Sequence, residues 1–112
     1  MGGEKFADST IIFRRLTAIA RKTSVQLTYA HKQFYLRLIE VAADGKERDG
    51  ENLVCSLSVA ELSVATETPL RTVIQSLARL SDCRVIQRNT VKTFPRSASK
   101  TIIFYQFFKK GE

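Results

Sequence analysis

The chain has 112 residues, 44% of them hydrophobic, which is enough for one domain around one modest core. No apolar run approaches the roughly 18 residues that cross a bilayer, and the start MGGEKFADST lacks the charged-then-apolar pattern of a secretory signal, so a cytoplasmic protein is expected. Eighteen Lys and Arg face eleven Asp and Glu, a formal net charge of +7. That excess favours an anionic partner, DNA or RNA first and an acidic membrane surface second; the plain alternative is a solvated basic surface.

The charge is partitioned along the chain. Residues 1–43 hold seven basic and three acidic side chains, residues 44–83 four and seven, and residues 84–112 seven and one. Two cysteines, Cys55 and Cys83, and the lone His31 match no zinc spacing, so the thiols read as structural and His31 as a helix surface residue. No disulfide is expected without a mark of secretion.

In chain order, STIIFRRLTAIARK (9–22) places Ile12, Leu16 and Ile19 at helical spacing behind Asp8, Ser9 or Thr10 as N-cap. This basic amphipathic helix is expected to pack on its own domain or on a partner rather than on a membrane. YAHKQFYLRLIEVAA (29–43) is a second helix with Phe34, Leu38 and Val41 in one stripe and Tyr35 and Ala42 beside it. DGKERDGEN is a polar loop with two Asp-Gly steps, and NLVCSL is a short strand.

Ser58 and Glu61 form a capping box that opens a short helix through Val59 and Leu62. After a turn at Thr66-Glu67, Thr68 is expected to cap the next helix, with Pro69 in its first turn. Leu70, Val73, Leu77 and Leu80 run down one face of that helix as core; Arg71, Gln75, Ala78 and Asp82 occupy the opposite face, flanked by Thr72 and Arg79. RVIQR is a strand, the segment 89–100 a basic loop, and TIIFYQFF a second strand, together a hairpin.

The predicted fold class is mainly α with a small antiparallel β hairpin or sheet, in the element order of a winged helix-turn-helix. Residues 1–24 form an N-terminal extension with a possible dimerisation helix, and residues 25–112 the winged domain. A helix fits the major groove and offers side chains to base edges, while a basic hairpin grips phosphate. Arg71 offers a bidentate fork to guanine or phosphate and Gln75 can pair with adenine or phosphate. Thr72, Thr68 and Ser76 can donate to phosphates, and Ser58 and Thr68 tie helix N-termini near the DNA backbone. Arg79 supports from the flank. In the hairpin, Arg88, Lys92, Arg96 and Lys100 are spaced at four as phosphate contacts. No paired acids, Gly-rich phosphate loop or nucleophile with an adjacent base is present, so no catalytic site, metal or cofactor is expected.

LSVAELSVAT, TPLRTVIQSLARL and VIQR, within a stretch from Ile12 to Phe108, resemble the C-terminal DNA-binding half of the cyclic-AMP receptor protein (Crp/Fnr) family of bacterial transcription regulators. FRRLTAIARK is similar to the end of that family's dimerisation helix, and KQFYLRLIEVAADG to the helix leading into its DNA-binding domain. The resemblance implies double-stranded DNA as partner, a homodimer on a two-fold operator, and a recognition helix over 69–81. It carries over no small-molecule effector site. The family's Arg-Glu-Arg reading set is replaced here by Leu70, Arg71 and Gln75, and its glycine after the recognition helix by Asp82-Cys83-Arg84. A plasmid or phage replication initiator shares the pattern, and a winged helix that binds protein is the alternative of another class.

Overall fold

The computed structural model describes residues 6–93 and 96–111, with the backbone alone for 90–93 and 96–98. Four helices, α1 (Ser9–Thr23), α2 (Tyr29–Gly45), α3 (Val59–Ala65) and α4 (Leu70–Asp82), pack with a small antiparallel sheet. The strands are β1 (Arg48–Asp49), β2 (Asn52–Cys55), β3 (Ile86–Thr93) and β4 (Arg96–Ile103), ordered β1-β2-β4-β3. Mainly α with a small antiparallel sheet is therefore the architecture. Among the described residues no helix is long and apolar enough to cross a membrane.

One core joins all four helices to the sheet. Leu16 of α1, Tyr35 and Leu38 of α2, Leu62 of α3, Val73 and Leu80 of α4, and Leu53 and Ile103 of the strands are all fully buried. The stripe of α1 (Ile12, Leu16, Ala20) lies in this core, so any pairing of two copies through α1 would use its outer face. Phe6 and Ala7 meet Phe108 beside it: Ala7 N–H donates to the Phe108 carbonyl at 3.1 Å, and the Phe6 and Phe108 rings stack edge-on at 5.4 Å.

Helix starts follow the caps unevenly. The Ser58–Glu61 capping box forms as expected, with Glu61 N–H to Ser58 Oγ at 3.1 Å and Ser58 N–H to Glu61 Oε1 at 2.8 Å. α2 has a similar box that the sequence conceals. Thr28 Oγ1 accepts from His31 N–H, and His31 Nδ1 accepts from Thr28 N–H at 3.1 Å. His31 is thus buried, not a surface residue, because its ring takes the place that Glu or Gln holds in the usual box. Thr68 does not cap α4. Pro69, in extended geometry, is the N-cap residue, and the helix begins one residue later than expected.

Each helix is followed by a non-glycine residue in the left-handed region: Ser24, Lys46, Glu67 and Arg84, at φ 58°, 59°, 53° and 61°. After α4, Arg84 N–H bonds the Ser81 carbonyl and Val85 N–H the Leu80 carbonyl, a Schellman closure. Arg84 therefore takes the conformation that glycine adopts without a Cβ penalty, and the chain turns into β3 without one.

The hairpin departs from expectation. Residues 89–100 are mostly not a loop: β3 and β4 pair continuously from Ile86↔Ile103 to Thr93↔Arg96. The β-branched Thr90, Val91 and Thr93 suit a strand, and paired backbone outweighs the polar composition that suggested a loop. TIIFYQFF, in turn, is a strand only to Ile103, where its pairings with both neighbours end, at Leu53 and Ile86. Asn52 Oδ1 then accepts from Tyr105 N–H at 2.9 Å, and Tyr105–Phe107 turn into a single 3-10 turn that buries Phe107 and Phe108. The expected loop DGKERDGEN likewise contains β1, which pairs with β2 across Gly50, a glycine at φ 63°.

Candidate nucleic-acid interface

α4 is held at three places. Its inner face buries Val73, Ser76, Leu77 and Leu80. Its C-terminal end is closed by the Arg84 turn. Its N-terminal approach, the α3–α4 turn, is tied by several short bonds. Ser63 Oγ donates to the Thr68 carbonyl at 2.6 Å, Thr66 Oγ1 to the Leu62 carbonyl at 2.6 Å, and Thr68 Oγ1 to the Thr66 carbonyl at 3.1 Å. From α2, Arg37 donates to the Thr66 carbonyl at 2.8 Å and fixes the turn to the domain. Neither Ser63 nor Arg37 belongs to the expected site. A guanidinium 29 residues away in sequence shows no local pattern that marks it as a clamp, whereas Ser63, five residues before Thr68, fits the habit of Ser and Thr hydroxyls to bond nearby carbonyls.

The expected site residues fall into three groups. Arg71 and Gln75 are exposed on α4, one turn apart, and neither makes a hydrogen bond or ion pair with another described residue. Thr72 is half-buried beside them. These are the groups free to meet a ligand.

The second group is engaged within the chain. Arg79, though exposed, donates to the Gln26 carbonyl at 2.9 Å. Arg88 is half-buried and donates to Thr101 Oγ1 at 3.0 Å. It lies two residues after Ile86 and so shares the core-facing side of β3; burial lowers its pKa from the ordinary arginine value. Lys100 pairs with Glu47 at 3.4 Å on the surface. Thr68 points its hydroxyl into the turn, and Ser58 Oγ is the α3 cap.

The third group is corrected or lies outside the description. Leu70 is not core but 48% exposed, because the first turn of α4 projects past the packed stripe. Ser76 is fully buried between Val73 and Leu77 and cannot donate to a phosphate. Lys92 and Arg96 sit opposite Ser97 and Thr93 in the β3–β4 ladder; their side chains lie outside the described residues. Ile74, which sequence reasoning passed over, is 53% exposed between Arg71 and Ala78.

Cys55 and Cys83 are both free and buried, and burial raises both thiol pKa values. A separate cavity of about 560 Å³ opens between α1 and the C-terminal segment, lined by Ile11, Arg14, Arg15, Ala18, Gln106, Lys109 and Gly111, with no histidine, cysteine or carboxylate among them. No group of three or more His, Cys, Asp or Glu that could hold a metal occurs among the described residues. No protein-family model, curated protein or solved structure matches this chain.

Proposed function

We propose that this chain is a winged helix-turn-helix that binds double-stranded DNA, with α4 as the recognition helix in the major groove and the β3–β4 hairpin as the wing. The observation that carries the reading is the outward face of α4. Arg71 and Gln75 stand exposed and unpartnered one helical turn apart, on a helix locked at both ends and along its inner face. A rigid helix with two free bidentate side chains matches what base edges require: an arginine fork that donates to guanine O6 and N7, and a carboxamide that accepts from adenine N6 and donates to N7. The net charge of +7 supplies the sequence-independent attraction to phosphate. A role in a bacterial transcription regulator, acting as a homodimer in the cytoplasm, is the form suggested by the likeness to Crp/Fnr proteins.

The test is fluorescence anisotropy of the purified chain with duplex DNA across a salt series. Affinity that falls steeply with salt, and a preferred sequence whose advantage disappears in Arg71→Ala, is the expected result. Negligible affinity at low salt would overturn the reading.

A further inference from the structure

The exposed surface of α4 is not uniformly polar. Leu70, Ile74 and Ala78 recur every four residues and are all exposed, with Leu70 at 48% and Ile74 at 53%. Arg71, Gln75 and Arg79 recur at the same spacing, one residue on. Residues four apart stack on one side of a helix, so these are two adjacent ridges, one apolar and one polar, running side by side along the outer surface. The buried stripe of Val73, Leu77 and Leu80 already satisfies the need of α4 for core contact. The apolar ridge is therefore an addition that packing within the domain does not explain.

Resting on the DNA reading above, we propose that Leu70 and Ile74 read thymine, by packing against its 5-methyl group in the major groove while Arg71 and Gln75 address the neighbouring base edges. The thymine methyl is the one apolar group that the major groove displays, and it lies beside hydrogen-bonding edges, as the two ridges lie beside each other. A protein partner fits less well. Helix-in-groove docking uses a broad apolar stripe, whereas this ridge is one residue wide and abuts an unpartnered arginine. The charge of the chain also favours a polyanion.

The experiment changes the DNA, so it does not depend on whether a variant folds. A duplex enriched by the chain from a random pool is remade with deoxyuridine in place of thymidine, which removes the methyl and leaves the hydrogen-bonding pattern intact. Each contacted methyl lost is expected to weaken binding about fourfold, the effect of one buried CH₂-sized group. Leu70→Ala and Ile74→Ala should each bind the two duplexes with less difference while keeping the salt dependence of the parent chain. Equal affinity for the thymine and uracil duplexes, or an enriched site without thymine, overturns the inference yet leaves DNA binding standing. Absence of salt-dependent binding to any duplex overturns the DNA reading itself.

Discussion

Arg71 on α4 and Arg88 on β3 are both arginines in segments that the sequence marks as candidates for phosphate or base contact. Arg71 keeps all its donors free, while Arg88 is half-buried and gives one to Thr101. The same division separates the two regions around them. On the outer face of α4, Gln75 is also unpartnered, whereas at the base of the hairpin Lys100 is paired with Glu47. A basic residue is a set of donors, and the fold decides whether those donors remain for a ligand or hold the domain together. α4 thus presents chemistry outward on a rigid frame, and the base of the hairpin uses its basic residues as part of that frame.

The largest expected effects come from exchanging these two arginines in turn. Arg88→Ala should lower unfolding stability by about 1.5–3 kcal/mol in urea titration, since it removes a charged hydrogen bond and leaves the buried Thr101 hydroxyl without its partner. Arg71→Ala should leave stability within about 0.5 kcal/mol but cost about 1–3 kcal/mol of affinity on the preferred duplex. A reversed outcome would break the comparison. Arg84→Gly should stabilise by about 0.5–1 kcal/mol, seen as a higher thermal midpoint, because glycine adopts the φ of 61° without a Cβ clash. Lys100→Ala should change stability by less than about 1 kcal/mol, as for other exposed ion pairs; a larger loss would make the Glu47 pair structural rather than superficial.

A pH titration sharpens the same contrast beneath α4. Burial, and then the nearby Arg79 charge, lower the pKa of His31 from its ordinary 6.5. The folded state therefore prefers the neutral ring, whose Nδ1 accepts the Thr28 N–H that begins α2. This contribution is present in full above pH 6.5, the unfolded value, and is lost as pH falls through the lowered folded value. Chemical denaturation from pH 7.5 downward should show declining stability that His31→Gln, which keeps an acceptor at the cap, makes flatter.

Much of this organisation was legible in local pattern. The spans of α1, α2 and α3 follow from apolar spacing, and the Ser58–Glu61 box marks the start of α3 because both partners of each bond lie within one turn. The outward placement of Arg71 and Gln75 follows from the helical period once Val73, Leu77 and Leu80 define the inner face. Where helical spacing misled, as at Leu70 and Ser76, the error lay at the edges of the stripe: Leu70 extends beyond the packed domain, and Ser76 falls within it. Periodicity gives the direction of a side chain but not how far neighbouring elements reach to cover it.

What the sequence by itself determined is the four helices, their order and the direction of most of their side chains, because these depend on interactions a few residues apart; the extent of the strands depended on their partners in the sheet. Only the tertiary structure decided which polar groups remain free. The bonds from Arg37 to the α3–α4 turn, from Arg79 to Gln26, from Arg88 to Thr101, and from Lys100 to Glu47 join residues separated by 29, 53, 13 and 53 positions respectively. No local rule specifies such pairs, since their partners are brought together only when the core closes and fixes the helices against the sheet.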